Sequence, residues 1–133
     1  MLKAKTSGGA AASGGGAAVG QALYDLGGES TWTCPDGVTS VCVVCIGGGE
    51  AMQGSAWANS AGKGGGLGWK NDIPVSAGTG YKVMVGRAGG SGRDPHSVGS
   101  GSNFHGGDSY FIDDATVCGE GGGKGSGHTG DGG

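Results

Sequence analysis

Hydrophobic and polar positions alternate in only three stretches of this chain, and most of what lies between them is glycine, alanine and serine. The first patterned stretch is "STWTCPDGVTSVCVVCIGGG". Residues 30–34 read as a short strand, Pro35-Asp36-Gly37 as a turn whose proline presets the first corner, and residues 38–46 as a longer strand. In its second half both faces are apolar, Cys42, Val44 and Ile46 on one side and Val41, Val43 and Cys45 on the other. Such a strand is expected at the centre of a sheet and covered on both sides. The second stretch, "WKNDIPVSAGTGYKVMV", predicts a hairpin that pairs Trp69, Ile73 and Val75 with Tyr81, Val83 and Val85 across residues 76–80. Lys82 and Met84 alternate with the last three, giving one buried and one wetter face. Pro74 lacks an N–H, which places its strand at an edge or at a bulge. The third stretch, "DSYFIDDATVC", predicts strands at 109–112 and 115–118, with Asp113-Asp114 as a solvated turn between them.

The connections are long. Some twenty residues after Ile46, and again after Val85, show neither helix nor strand period. Loops of that length inside a compact domain are functional or tied down by a neighbour. The recurring order of strand, glycine run and strand predicts an all-β fold, a small antiparallel β-sandwich or jelly-roll-like domain over residues 29–119 with long glycine-rich loops at its ends. Residues 1–28 form an Ala/Gly/Ser arm whose apolar island, "VGQALYDLGG", supports a helical turn or two and is expected to order only against a partner. Residues 120–133 carry no apolar side chain and are expected to stay disordered unless other chains hold them.

Composition sharpens this picture. Glycine supplies 37 of 133 residues, against a usual share of about 7%. Each glycine loses the most backbone freedom on folding and buries no side chain in return, so the core must come from few residues. The candidates are Trp32, Val38, Val41, Val43, Val44, Ile46, Leu67, Trp69, Ile73, Val75, Tyr81, Val83, Val85, Phe104, Tyr110, Phe111, Ile112 and Val117. So thin a core points to association with other subunits. The glycines come in clumps and not at every third position, which excludes a collagen triple helix. A net charge of −3 with 14% charged residues leaves no basic footprint for nucleic acid, and Arg87 and Arg93 belong to no Arg-Gly-Gly series. "MLKAKTSGG" has no apolar stretch behind its lysines and does not read as a secretory signal. Residues 41–46 are far short of a membrane span. The chain is expected to be made in the cytoplasm and to be soluble.

Candidate chemistry is sparse. Cys42 and Cys45 have metal-site or redox spacing, but residues three apart on a strand point to opposite faces, so their sulfurs cannot converge on one ion. All four cysteines are expected as free thiols. "GEGGGKGS" around Lys124 lacks the first glycine and the hydroxyl of a phosphate-binding loop. "GGDSYFIDD" resembles a glycine-aspartate calcium repeat, but it occurs once and such sites need stacked neighbours. His96, His105 and His128 lie in glycine-rich segments with no nucleophile beside them. No catalytic residue, cofactor or metal is expected. Trp57 and Phe104 stand out as large aromatics inside glycine-rich loops; either they fold back as core or pack under a subunit contact, or they anchor a receptor or a sugar. With the adjacent His105 they are the candidate receptor or subunit contacts.

Taken in order, "TWTCPDGVTSVCVVCIGGG", "GGGLGWKNDIPVSAGTGYKVMVG", "GGDSYFI" and "TVCGEGGG" resemble the glycine-rich domain of bacteriophage tail-fibre and other virion proteins, over roughly residues 30–125. The resemblance implies a β-rich virion module whose glycine runs pack as extended loops or polyglycine-type helices, in an oligomeric fibre or adhesin. Against that pattern, Ser-Ala-Gly stands after Val75 where Pro-Gly is usual, and no long shaft is present. A fibre or fibre-tip subunit with possible host-receptor attachment fits the length, its arm 1–28 docking on the particle. Its expected partners are other virion proteins, copies of itself and a host-surface receptor, without nucleic acid. Capsid decoration or a head fibre is the competing role, and a glycine-rich matrix or wall protein is the alternative of another class.

Overall fold

The computed structural model describes residues 1–8, 20–51, 53–55, 58–90 and 104–123. Strands β1 (Leu2–Gly8), β2 (Gln21–Tyr24), β4 (Val38–Ile46) and β7 (Leu67–Pro74) form one antiparallel sheet. A second consists of β3 (Gly28–Thr33), β8 (Gly80–Val85), β9 (Ser109–Phe111) and β10 (Asp113–Gly119). Their orders are β2-β1-β4-β7 and β10-β9-β8-β3, and β5 (Gln53–Ser55) and β6 (Ala58–Ser60) pair apart from both. The described residues contain no helix, so none is long and apolar enough to cross a membrane.

The two sheets meet face to face, as an all-β sandwich. Leu2, Val41, Val43, Cys45 and Ile73 from the first pack against Trp32, Val83, Val85, Phe111 and Val117 from the second in a single buried cluster. Trp32, Tyr81 and Phe111 form a triangle with ring centroids 5.8 to 6.0 Å apart, tilted or edge-on as aromatic quadrupoles favour. β4 lies between β1 and β7, the central place that its apolar run requires. Its outer face is not covered, however: Val44 is 39% exposed, because the second sheet caps only the inner side. Val38 also turns inward, since a register shift opposite Ser7 and Gly8 makes Thr39 the extra residue and reverses the alternation.

Four further expectations are corrected. The stretch from Trp69 to Val85 is not a hairpin: β7 pairs with β4 in one sheet and β8 with β3 and β9 in the other, so residues 75–80 arch across the sandwich. The connection from β3 to β4 crosses in the same way, and the two arches bind each other through Gly78 N–H to Cys34 O (2.8 Å) and Cys34 N–H to Thr79 O (2.9 Å). Gly78, at φ 77°, makes the second arch turn possible. Trp69 and Ile73 do not share a face either. Asn71 and Asp72 together oppose Cys42, and this bulge leaves Trp69 43% exposed while Ile73 is buried.

Third, the arm does not wait for a partner at either end. β1 is an inner strand of the first sheet and Leu2 is fully buried, worth about 1.5–3 kcal/mol. The island at 20–28 contributes strand β2 rather than a helical turn, with Ala22 and Tyr24 against the core. Fourth, the last reversal falls at Ile112 (φ 71°), whose N–H donates to Lys82 O at 2.8 Å, and Asp113-Asp114 open β10 instead of making the turn. Several expected core residues lie at the surface, namely Val44, Leu67 and Trp69, while Cys34, Cys45 and Cys118 are buried.

Candidate functional site

At one end of the sandwich the chain leaves the strands as glycine-rich rods. β4 continues into 47–51, β8 into 86–90 and β10 into 119–123, while 62–66 leads into β7 and 104–107 into β9. Ser109 fixes their root. Fully buried, its Oγ donates to Ile46 O at 2.7 Å and accepts Gly86 N–H at 2.9 Å, joining the ends of the two sheets. Asp108 Oδ1 accepts Gly121 N–H at 2.8 Å beside it.

Segment 47–51 is the centre of the bundle. Gly47 and Glu50 donate to Gly66 O and Lys63 O; Gly48 and Ala51 donate to Gly107 O and Phe104 O. Residues three apart thus address the same neighbour, which is the signature of an extended helix with three residues per turn. Such a helix has no internal hydrogen bonds and must satisfy its backbone outside itself. Gly48 O accepts Gly122 N–H (2.8 Å) and Gly49 O accepts Gly89 N–H (2.7 Å), so the centre bonds to all four surrounding segments.

Close packing of these rods explains the composition. A Cβ on Gly47, Gly48, Gly65 or Gly106 would overlap the carbonyl oxygen of Glu120, Arg87, Gly47 or Gly48 respectively. Where other folds place side chains, these rods place Cα–H groups directly against carbonyls. Three of the residues with side chains stand at the periphery: Lys63, Arg87 and Ala88 are exposed, and Arg87 Nε donates to Gly27 O at 3.1 Å.

Phe104 and His105 are both half-buried, at the start of the rod 104–107. The Phe104 backbone is part of the lattice, since its carbonyl accepts Ala51 N–H at 2.8 Å. His105 Nδ1 lies 3.7 Å from Glu50 Oε1, and Glu50 Oε2 accepts Lys63 N–H at 3.1 Å. Gly123, at φ 89°, passes over this pair where any Cβ would overlap His105 Nδ1. Glu50 was not legible as a neighbour of His105; its only signal is that an acid ends the run "GGGE". Trp57, His96 and His128 lie outside the described residues.

The remaining chemistry is structural. Cys42 and Cys45 occupy opposite faces of β4, and all four cysteines are free thiols. Burial, with Cys118 adding to it, pushes the Cys45 thiol up to about 12. Among the described residues no three His, Cys, Asp or Glu side chains gather as a metal site. A groove of about 300 Å³ beside β10 is lined by Asp108, Asp114, Cys118 and Glu120, with Asp108 already engaged by Gly121. The Thr116 hydroxyl, together with the Thr116 N–H that donates to Asp113 Oδ1 at 2.6 Å, holds that carboxyl below its usual range.

The sequence profile of a family described as a glycine-rich domain matches residues 25–133. No curated protein and no solved structure matches the chain. The matched span begins after β2, so two strands of the first sheet lie outside it.

Proposed function

We propose that this chain, which belongs to the glycine-rich domain family, is a non-enzymatic structural subunit of a bacteriophage virion, part of a tail fibre or its tip. The observation that carries this reading is the glycine bundle itself. It extends one end of the sandwich mainly by hydrogen bonds between backbones, and in sequence residues 52–61 and 91–103 are the connections that join 47–51 to 62–66 and 86–90 to 104–107. A rod built this way is stiff without a hydrophobic core, and loops held on a rigid support are where recognition residues sit. Trp57 belongs in sequence to the first of those connections, and Phe104 and His105 close the second. These residues are the proposed contacts with a host-surface receptor.

Mass spectrometry of purified virions, combined with gold-labelled antibody in electron micrographs, tests the assignment. The chain is expected in the particle, with label at the distal end of the tail. Its absence from virions refutes the reading, and label over the head shell replaces the fibre role with capsid decoration. Receptor contact is tested separately: Trp57→Ala or Phe104→Ala should abolish binding of the purified full chain to host cells while leaving its circular dichroism unchanged.

A further inference from the structure

The rods do not close around their centre. Segment 62–66 bonds to 119–123 through Gly66 N–H and Glu120 O, 119–123 to 104–107 through Gly106 N–H and Gly122 O, and 104–107 to 86–90 through Gly107 N–H and Arg87 O. Among the described residues no hydrogen bond returns from 86–90 to 62–66. Rods of equal width pack hexagonally, so four neighbours in succession leave one flank of 47–51 open. Gly49 lies at the floor of that flank. Its N–H donates to nothing among the described residues, although those of Gly48 and Glu50 on either side are both bonded. The Gly65 N–H likewise donates to nothing among the described residues.

Glycine at this flank has no cause among the described residues. A Cβ on Gly49 would find its nearest neighbour at 3.8 Å, an ordinary contact, and one on Gly64 would find nothing within 4 Å; neither residue has a positive φ. A residue with a side chain would cost less entropy at both places. Glycine there is useful only if another backbone packs against it, as backbones do on every other side of the centre.

The open flank continues into the uncovered face of the first sheet. Leu23, Lys3, Val44 and Trp69 form one row across its four strands, and Leu23 and Trp69 are 54% and 43% exposed. Ile46 and exposed Leu67 pair in the row nearest the rods. The second sheet turns a different face to solvent, where Lys82 bridges Glu29 at 3.3 Å and lies 5.6 Å from the Tyr110 ring.

We infer that this composite face, the apolar sheet surface together with the open glycine flank, is where a second copy of this chain docks. The inference stands apart from the virion reading. A partner has to offer backbone without side chains next to an apolar strip, and the chain's own face is built in that way. Identical surfaces on two copies can therefore satisfy each other about a two-fold axis. The exposed Trp69 is the kind of anchor on which such contacts depend.

Sedimentation equilibrium of the full chain reads the outcome, with amide hydrogen exchange measured on either side of the dissociation range. A dimer is expected, in which exchange at Gly49 and Gly65 slows at least about tenfold. Gly49→Ala, whose methyl has room within one copy, and Trp69→Lys should each weaken association by about tenfold or more without lowering the thermal midpoint of the dissociated chain. A chain that stays monomeric at about 100 µM overturns the inference. So does a dimer that neither substitution weakens, and so does slow exchange at Gly49 in a monomer, which would give the flank to the chain's own residues.

Discussion

Adding one methyl at Gly48 should do about as much damage as removing several from the core. The new Cβ would lie 2.5 Å from the Arg87 carbonyl carbon and closer still to its oxygen. Cα–H···O neighbours in ordinary contact keep about 3.3–3.6 Å, so the rod 86–90 must retreat by roughly 1 Å or more. That retreat stretches Gly89 N–H to Gly49 O (2.7 Å) and Gly107 N–H to Arg87 O (2.8 Å) past useful length. Two backbone bonds left unmet cost about 1–3 kcal/mol each, and the lower entropy of an unfolded alanine chain offsets about 0.4–1 kcal/mol of that. The net loss is about 1–5.5 kcal/mol, a large part of the usual stability of a small domain at its upper end. At about 3–6 °C per kcal/mol for a domain of this size the thermal midpoint should fall by roughly 3–30 °C. Gly90→Ala is the matched control, since nothing among the described residues lies within 4 Å of its Cβ position, and its midpoint should hold or rise slightly. Differential scanning calorimetry of the two variants decides the matter. A Gly48→Ala chain that melts with the wild type, or a Gly90→Ala chain that melts as early as Gly48→Ala, would refute the close-packed reading of the bundle.

Three other outcomes can be measured directly. Ser109→Ala removes the donor to Ile46 O and strands the Gly86 N–H at the root of the rods, and urea unfolding should show a loss of about 1–3 kcal/mol. Asp72 holds φ 54° at the extra residue of β7; Asp72→Val should cost about 1–2 kcal/mol and Asp72→Gly close to nothing, so equal effects would contradict the bulge. The Cys45 thiol is raised by burial to about 12, so its contribution to stability is intact below about pH 9 and is lost as pH rises from there through about 12. Unfolding free energies should fall across that window by about 1 kcal/mol per pH unit, and a Cys45→Ala chain with an equally steep fall would show that other groups are responsible.

How much of this was legible in the chain depends on whether side chains carried the signal. β4 and β8 were, because valines at alternate positions fix both the strand and its inner face. Partnership was not: five residues between Val75 and Tyr81 suit a hairpin or an arch equally well, and the alternation on each side is the same in both. The choice is made by Thr39 and Cys34, which bind Val75, Gly78 and Thr79 from a distant part of the chain. Asp72 hid the true face of Trp69, since one extra residue reverses every side chain before it relative to those after it. β1 was hidden because Leu2 alone announces it among small and polar residues. In the candidate site, Phe104 and His105 were picked out as side chains in a glycine setting, whereas the lattice that holds them left no hydropathy pattern. Its trace is subtler: Gly62 and Gly65, like Gly86 and Gly89, stand three apart and each turns its Cα to a neighbouring backbone.

A bundle of three-residue turns also sets a rule for how the protein can change length. Inserting three residues in each rod would advance every segment by one full turn, about 9 Å, and return every amide to the neighbour it faced before. Inserting one would rotate the distal part by a third of a turn and send each N–H towards the wrong partner. Relatives of this chain should therefore differ in reach by whole turns, added together in all five rods, with the sandwich at the base left as it is.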